Sequence, residues 1–383
     1  MEYTKEQKKA IDSVNEFCDA NVTEERVRHW VQTRGVPDQL TRCLYQGELK
    51  KYLFPPVLGG ADVSFLARAT FIEQMMRRCG ATMPVLGDMT SIALLSTMRE
   101  QSQREIAEQF SLEGGRIGFS EAFSEPNAGS DASAVRTSVG VDEAGIYLNG
   151  TKNFVSSGQF MPWVLVLAHD PIYGGSDGGL SLWLIPVHSE GISTYPLATL
   201  GQEMLSPARI EFSQVKLEPH WQIQTEGQLD SMLKRQYELG RVLVCASSLG
   251  LSEAAFDDAV RHATERMIKG RRMTSLSSIQ EKLVDMETSI RSMRMFVYHA
   301  ASALDGQQTD ESHLACALMK RYVPSAATDV ASMALQIFGG SGYTDEQRVG
   351  RIWQDCRGNQ IAQGADELMT KLACKLITKR ALQ

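Results

Sequence analysis

Three stretches of this chain concentrate glycine, hydroxyl side chains and single aromatics. The first is Gln336-Ile337-Phe338-Gly339-Gly340-Ser341-Gly342-Tyr343, continued by Ile361-Ala362-Gln363-Gly364-Ala365-Asp366-Glu367-Leu368. Glycines at 339, 340 and 342 interrupt an otherwise helical pattern. Backbone without β-carbons lets a flat or anionic ligand approach closely. The same residues alone make an ordinary helix end and turn. The second stretch is Phe123-Ser124-Glu125-Pro126-Asn127-Ala128-Gly129-Ser130-Asp131, and the third is Leu148-Asn149-Gly150-Thr151-Lys152-Asn153-Phe154-Val155-Ser156-Ser157-Gly158. Their small hydroxyls can hydrogen-bond a polar ring edge and their aromatics can pack on a ring, although Ser and Gly also favour turns without any ligand.

In this order and at these separations, the three stretches resemble the acyl-CoA dehydrogenase family of flavoproteins. The resemblance covers nearly the whole chain. It is strongest to the branch that includes crotonobetainyl-CoA reductase, which shares the run Ile279-Gln280-Glu281-Lys282. The resemblance implies bound FAD, with Ser124, Ser130, Phe154 and Ser156 lining the flavin. It implies that Arg266, Gln336 and Gly340 hold the adenine-dinucleotide portion, partly from a neighbouring subunit, and hence a dimer or tetramer. An arginine suits the pyrophosphate because its fork makes two hydrogen bonds. Substrates would be acyl-CoA or enoyl-CoA thioesters, and the electron partner an electron-transfer flavoprotein.

The family's chemistry removes a proton from the carbon next to the thioester and a hydride from the next carbon. The proton step needs a base within hydrogen-bond reach. In most members the base is the Glu of a Tyr-Glu-Gly-Thr motif, which here reads Ala362-Gln363-Gly364-Ala365, so a neutral Gln363 stands at that position. In another branch the Glu precedes the family arginine on an earlier helix, and that position here is Gly240, followed by Arg241. Read without the resemblance, Arg241 is a surface charge. Other carboxylates lie nearby in sequence. Glu121 precedes the second stretch, on a strand whose alternation leaves its direction open. Glu238 lies two residues from Gly240, roughly 200° around a helix. Asp366 and Glu367 suit a helix N-terminus. Glu121 is the candidate carried forward, and restoring a glutamate at position 363 is expected to raise acyl-CoA oxidation.

These substitutions leave three readings: a FAD-dependent acyl-CoA dehydrogenase or enoyl-CoA reductase with an atypical base, a redox-impaired subunit of a heteromeric complex, and a non-redox acyl-thioester enzyme. Two further departures lie in the segment expected to touch dinucleotide across a subunit interface. Lys269 replaces an aromatic in Arg266-Met267-Ile268-Lys269-Gly270, and Ser277 replaces a glutamine. Ala362 replaces a tyrosine that often shapes the pocket.

Composition narrows the class. The 383 residues suffice for two or three domains. A net charge of −7 argues against a general nucleic-acid binder. Seven dispersed cysteines without CxxC spacing fit reduced thiols of the cytoplasm better than a disulfide framework, and none joins a His at zinc spacing. The charged N-terminus does not read as a signal peptide, and no apolar run approaches the ~18 residues of a membrane span.

The elements that must position these residues read as an α+β arrangement. An N-terminal helical domain spans 1–116, a middle β-domain 117–224 and a C-terminal four-helix bundle 225–383. Thr4 caps a helix through about Ala20. Pro55, Pro56 and Gly59-Gly60 break the pattern before a helix over Phe65–Arg78, and another helix is expected from Asp88 to Met98. Met75, Met76, Met83 and Met89 read as core sooner than as ligand lining. Strands are expected at Val135–Val139, Gly145–Leu148, Trp163–Ala168, Leu180–Ile185 and Ala208–Val215, with 174–179 as a hairpin loop. Helices are expected near 238–268, 279–304, 312–338 and 365–380, with Pro324 kinking or breaking the third.

Overall fold

The computed structural model describes residues 2–54, 56, 60–85, 119–131, 134–170, 179–223, 229–306 and 309–382. The expected helix at Asp88–Met98, Met89 and most of the 174–179 loop lie outside these residues, as do the expected boundaries near 116 and 224. Within them the chain runs helical, then β, then helical again.

The first helical part comprises α1 (Lys5–Asn21), α2 (Glu24–Gln32), α3 (Asp38–Gln46), α4 (Lys50–Leu53) and α5 (Phe65–Cys79). Thr4 starts α1 with a capping box: its hydroxyl accepts from Gln7 N at 3.2 Å, while Thr4 N donates to Gln7 Oε1 at 3.0 Å. Met75, Met76 and Met83 are fully buried core.

The β part contains β1 (Phe119–Ala122), β2 (Ser138–Asp142), β3 (Gly145–Val155), β4 (Trp163–His169), β5 (Leu180–Pro186), β6 (Ile192–Pro196), β7 (Ala208–Leu217) and β8 (Gln222–Ile223). They form one sheet in the order β6-β7-β3-β2-β4-β5-β8, with β1 parallel to β4. The strand expected at 135–139 begins only at Ser138, and the strand expected at 145–148 continues as β3 into the third stretch as far as Val155.

The apolar runs of β4 and β5 show no alternation because both their faces are covered. Leu165, Leu167, Leu182 and Leu184 join the core shared with the helices, whereas Val164, Val166, Trp183 and Ile185 pack inside the β-domain. This fixes the direction of Glu121. Its register partner on β4 is Leu165, whose face looks toward the helices, and neighbouring Ala122 pairs with Val166 and packs inside the β-domain.

The last part begins with α6 (Leu229–Glu265), followed by the hairpin β9 (Met267–Ile268) and β10 (Arg271–Arg272). Four further helices follow: α7 (Ser277–Asp305), α8 (Asp310–Phe338), α9 (Arg348–Ile361) and α10 (Asp366–Ala381). The four expected helices are α6, α7, α8 and α10. The additional α9 was not among the expected helices, although Val349, Ile352 and Cys356 recur at helical spacing and are buried. Pro324 does not break α8, which runs unbroken from Asp310 to Phe338. Packing against α6, α7, α9 and α10 holds the helix together where one backbone donor is missing.

The long central α6 contains a window apolar enough to cross a membrane, contrary to the expectation from run length, but 94% of that window is buried inside the fold. Gly250 marks its closest approach to α5: a Cβ there would stand 2.0 Å from Glu73 O. The first helical part thus packs directly on the bundle.

Candidate active site

Strand β1, helix α6 and the turn between α9 and α10 meet around Glu121. Gln236 on α6 donates from Nε2 to Glu121 Oε1 at 2.5 Å. Gln363, in the turn, donates from Nε2 to Glu121 Oε2 at 3.5 Å, a long hydrogen bond. Each carboxylate oxygen therefore faces one carboxamide. Gln236 is buried, and its Oε1 finds no partner among the described residues.

Gly240 lies one helical turn beyond Gln236, against the same carboxamide. A Cβ at Gly240 would stand 2.7 Å from both Cδ and Oε1 of Gln363. The two sequence positions at which a base was expected are thus in contact, and neither carries an acid.

Arg241 is not the surface charge its sequence context suggested. It is 8% exposed, and its Nε donates to Gln363 O at 3.2 Å. Its guanidinium lies 5.7 Å from the centre of the Tyr237 ring, and Tyr237 meets Phe123 edge-on at 6.0 Å. Burial, reinforced by the charge of Glu121, pushes the Tyr237 phenol up to about 12. It is a neutral group at ordinary pH.

The other carboxylates point elsewhere. Glu238 turns away from Gly240, as helix geometry requires, and pairs with His313 of α8. Asp366 accepts from Gln360 Nε2 at 2.7 Å and Glu367 is exposed, both in the first turn of α10.

The second and third stretches are tied together by buried polar contacts. Lys152, fully buried, donates to Glu125 Oε1 at 2.8 Å and to Phe123 O at 3.1 Å. Glu125 also accepts from the backbone of Arg136 at 2.8 Å and Thr137 at 2.9 Å, and Asn153 N donates to Ser124 O at 2.8 Å. This lattice brings Ser124 beside the end of β3. There the strand register shifts between Lys152 and Val155, and Phe154 takes φ +58° with 66% of its surface exposed. Ser130 and Ser156 are also exposed. A non-glycine residue in the left-handed region is uncommon and costs free energy. Here it presents an aromatic face outward.

Arg266, Gln336 and Gly340 gather at one end of the bundle. His262 of α6 stacks on Phe338 of α8 with ring centres 4.2 Å apart, which aligns the ends of the two helices. Arg266 follows α6, Gln336 lies in the last turn of α8, and all three residues are exposed. Helix α8 ends at Gly339, which has φ +64°, and a Cβ at Gly339 or Gly340 would meet nothing within 4 Å. Lys269 and Gly270, at φ +49° and +78°, form the tight turn of the β9–β10 hairpin.

Family models match three consecutive parts of the chain: the acyl-CoA dehydrogenase N-terminal domain at residues 4–110, the middle domain at 120–215 and the C-terminal domain at 231–378. The chain belongs to the acyl-CoA dehydrogenase family. The Escherichia coli K12 protein described as a probable acyl-CoA dehydrogenase, YdiO, is 31% identical over 98% of this chain and 97% of its own. The crystal structure of an acyl-CoA dehydrogenase from Slackia heliotrinireducens is 33% identical with a TM-score of 0.86, covering 99% of this chain and 98% of that one. Butyryl-CoA dehydrogenase from Megasphaera elsdenii shares the fold at 24% identity and TM-score 0.87, over 99% of each chain. The order of helical, β and helical parts is this family's fold.

Members of the family normally bind FAD, and the groups present here fit such a molecule. Hydroxyls at 124, 130 and 156 and the outward Phe154 ring suit a polar-edged flat ring. The open backbone at Gly339 and Gly340, beside Arg266 and Gln336, suits the approach of a charged, extended tail. Sequence reasoning did not find Gln236, which touches Glu121; its only signal was its place one helical turn before Gly240.

Proposed function

We propose that this protein is a FAD-dependent acyl-CoA oxidoreductase in which Glu121, on a β-strand, replaces the missing base. The observation that carries this reading is the contact between Glu121 and Gln363. The carboxylate absent from position 363 is supplied across a hydrogen bond from the side chain that stands there.

Bound FAD would accept or donate the hydride. The chain's own residues do the remaining work. Glu121 takes the proton from the carbon next to the thioester during oxidation and returns it during reduction, so one group serves dehydrogenase and enoyl-CoA reductase directions alike. Gln236 and Gln363 orient the carboxylate, and the buried Gln236 Oε1 offers one further acceptor to the site. Arg241 and the neutral Tyr237 wall the site and keep water from the carboxylate. Ser124, Ser130, Phe154 and Ser156 would hold the ring. The exposure of Arg266, Gln336 and Gly340 in one chain supports their facing a second copy across a homo-oligomer interface. Electrons would pass to or from an electron-transfer flavoprotein.

The test is spectroscopic. The purified protein is loaded with FAD and titrated with acyl-CoA esters of graded length while the flavin absorbance is followed. Bleaching in the native protein and its loss in Glu121→Gln, with flavin retained, is the expected result. Equal bleaching in Glu121→Gln would remove Glu121 from the chemistry.

A further inference from the structure

Lys320 on α8 is completely buried. A buried ammonium normally sits against a carboxylate. This one donates instead to two backbone carbonyls, Gly364 O at 3.0 Å and Gln360 O at 3.4 Å. Those carbonyls bracket Gln363, whose own carbonyl accepts from Arg241. Two buried cations thus hold three carbonyls within five residues.

The segment they hold is an unfavourable one. Gln363 has φ +54° and Gly364 φ +107°. Left-handed backbone at a residue with a Cβ persists only where its surroundings over-determine it. The C-terminal end of α9 contributes carbonyls with no helical partner, and a cation there also meets the negative end of the helix dipole. The geometry of this turn decides where the Gln363 carboxamide goes, since Gly240 closes one side of it and Glu121 lies on another.

We propose that Lys320 is a positioning residue of the site: by gripping the carbonyls of Gln360 and Gly364 it fixes the turn that presents the Gln363 carboxamide to Glu121. The inference rests on Glu121 being the proton-transfer group, and its test separates the two ideas. A lysine that only filled space at a helix end would stabilise the bundle without acting through Gln363.

The variant is Lys320→Met, which keeps the apolar stem and removes the donors. Backbone amide exchange is measured on the FAD-loaded protein by mass spectrometry. Peptides covering 358–366 are expected to exchange at least about tenfold faster than in the native protein, while β4 stays protected. Turnover is then compared in a cycle with Gln363→Ala. Lys320→Met alone is expected to lower kcat roughly ten- to a hundredfold with little change in KM, and by less than about twofold when Gln363 is already alanine. Unchanged exchange at 358–366, or a rise shared equally by β4, would overturn the clamp, as would a kcat loss of the same size in both backgrounds. If Glu121→Gln keeps its activity, the assignment of the base fails while the exchange and the cycle still report on Lys320. If no variant or native protein turns over, exchange at 358–366 decides alone.

Discussion

Gly240 and Gln363 occupy one space: a Cβ on the first would lie 2.7 Å from the carboxamide carbon of the second. The two positions at which a base was expected are therefore adjacent in this chain, and a side chain at one displaces the other. Gly240→Ala is expected to push Gln363 off Glu121 and lower kcat by roughly tenfold, because small misplacements in a site are costly. Stability should fall less than the ~1–3 kcal/mol of an overpacked core, since the displaced group is the end of a flexible side chain. Steady-state kinetics beside a thermal melt distinguish the two effects. A loss of activity only in proportion to lost folded protein would contradict the prediction.

Placing a glutamate at 363 looks from sequence like a simple repair. The structure changes that expectation, because Glu121 already lies within 3.5 Å of the same side chain. Two carboxylates so close cannot both ionise freely, and one holds its proton to higher pH. Gln363→Glu alone should therefore shift the acid limb of kcat/KM upward without a large gain in rate at neutral pH. The double change Glu121→Gln with Gln363→Glu moves the acid across the hydrogen bond and keeps one carboxylate and one carboxamide. It should recover much of the activity that Glu121→Gln loses. A double variant as inactive as the single would show that the proton must reside on β1.

Much of this arrangement is legible in the chain. The Thr4-to-Gln7 capping box, the β-branched and leucine runs and the helix stripes act locally, so they survive folding unchanged. Glu121 was harder, because a four-residue strand is too short to carry an alternation that can be read. Its direction comes only from pairing with Leu165, more than forty residues away. Helix α9 shows only a short apolar stripe, Val349, Ile352 and Cys356, among glycines and polar residues of low helix propensity, and tertiary packing supplies what propensity lacks. At Pro324 the expected break does not occur: the lost hydrogen bond is a local cost, and contacts with four helices outweigh it.

The ion pair between Lys152 and Glu125 is expected to matter more when broken than when replaced. Burial pushes the Glu125 carboxyl up, but the Lys152 ammonium and the Thr137 and Arg136 N–H groups outweigh it and hold it below its ordinary range. Burial pulls Lys152 down against the attraction of Glu125. The two shifts run against each other, so the pair itself contributes modestly, whereas an unpartnered Glu125 would be a buried charge. Lys152→Met should cost about 3–5 kcal/mol, and the double change with Glu125→Gln distinctly less. Glu125 is depressed in the fold, so its contribution is present above its unfolded pKa and is lost as pH falls through the lower folded value. Denaturant titrations of the three proteins at pH 7 and pH 4 check both statements, and a single variant as stable as the native chain would refute the first.

The contact between α5 and the bundle carries an opposite pH dependence. Glu73 accepts from Tyr298 Oη at 2.6 Å and from Arg294 Nε at 3.2 Å, while Glu253 pairs with Arg294 and, at 3.4 Å, with Arg77. Arg77 is shared again with Asp257 at 2.8 Å. Three carboxylates therefore share two guanidinium groups. Burial, then the charge of Glu73, pushes Glu253 up to about 8, and burial raises Glu73 as well despite Arg294 and Tyr298. A carboxyl raised in the fold binds its proton more tightly than in the unfolded chain. Its stabilising contribution is therefore complete below the ordinary carboxylate range and is lost as pH rises through about 8. Stability should decline between pH 6 and pH 9, with the first loss of amide protection in α5 (Phe65–Cys79). Glu253→Gln, neutral at every pH, should flatten that decline and be the more stable protein at pH 9. Melting curves at half-unit steps decide it: parallel pH profiles for the native protein and Glu253→Gln would show that this cluster does not set the dependence.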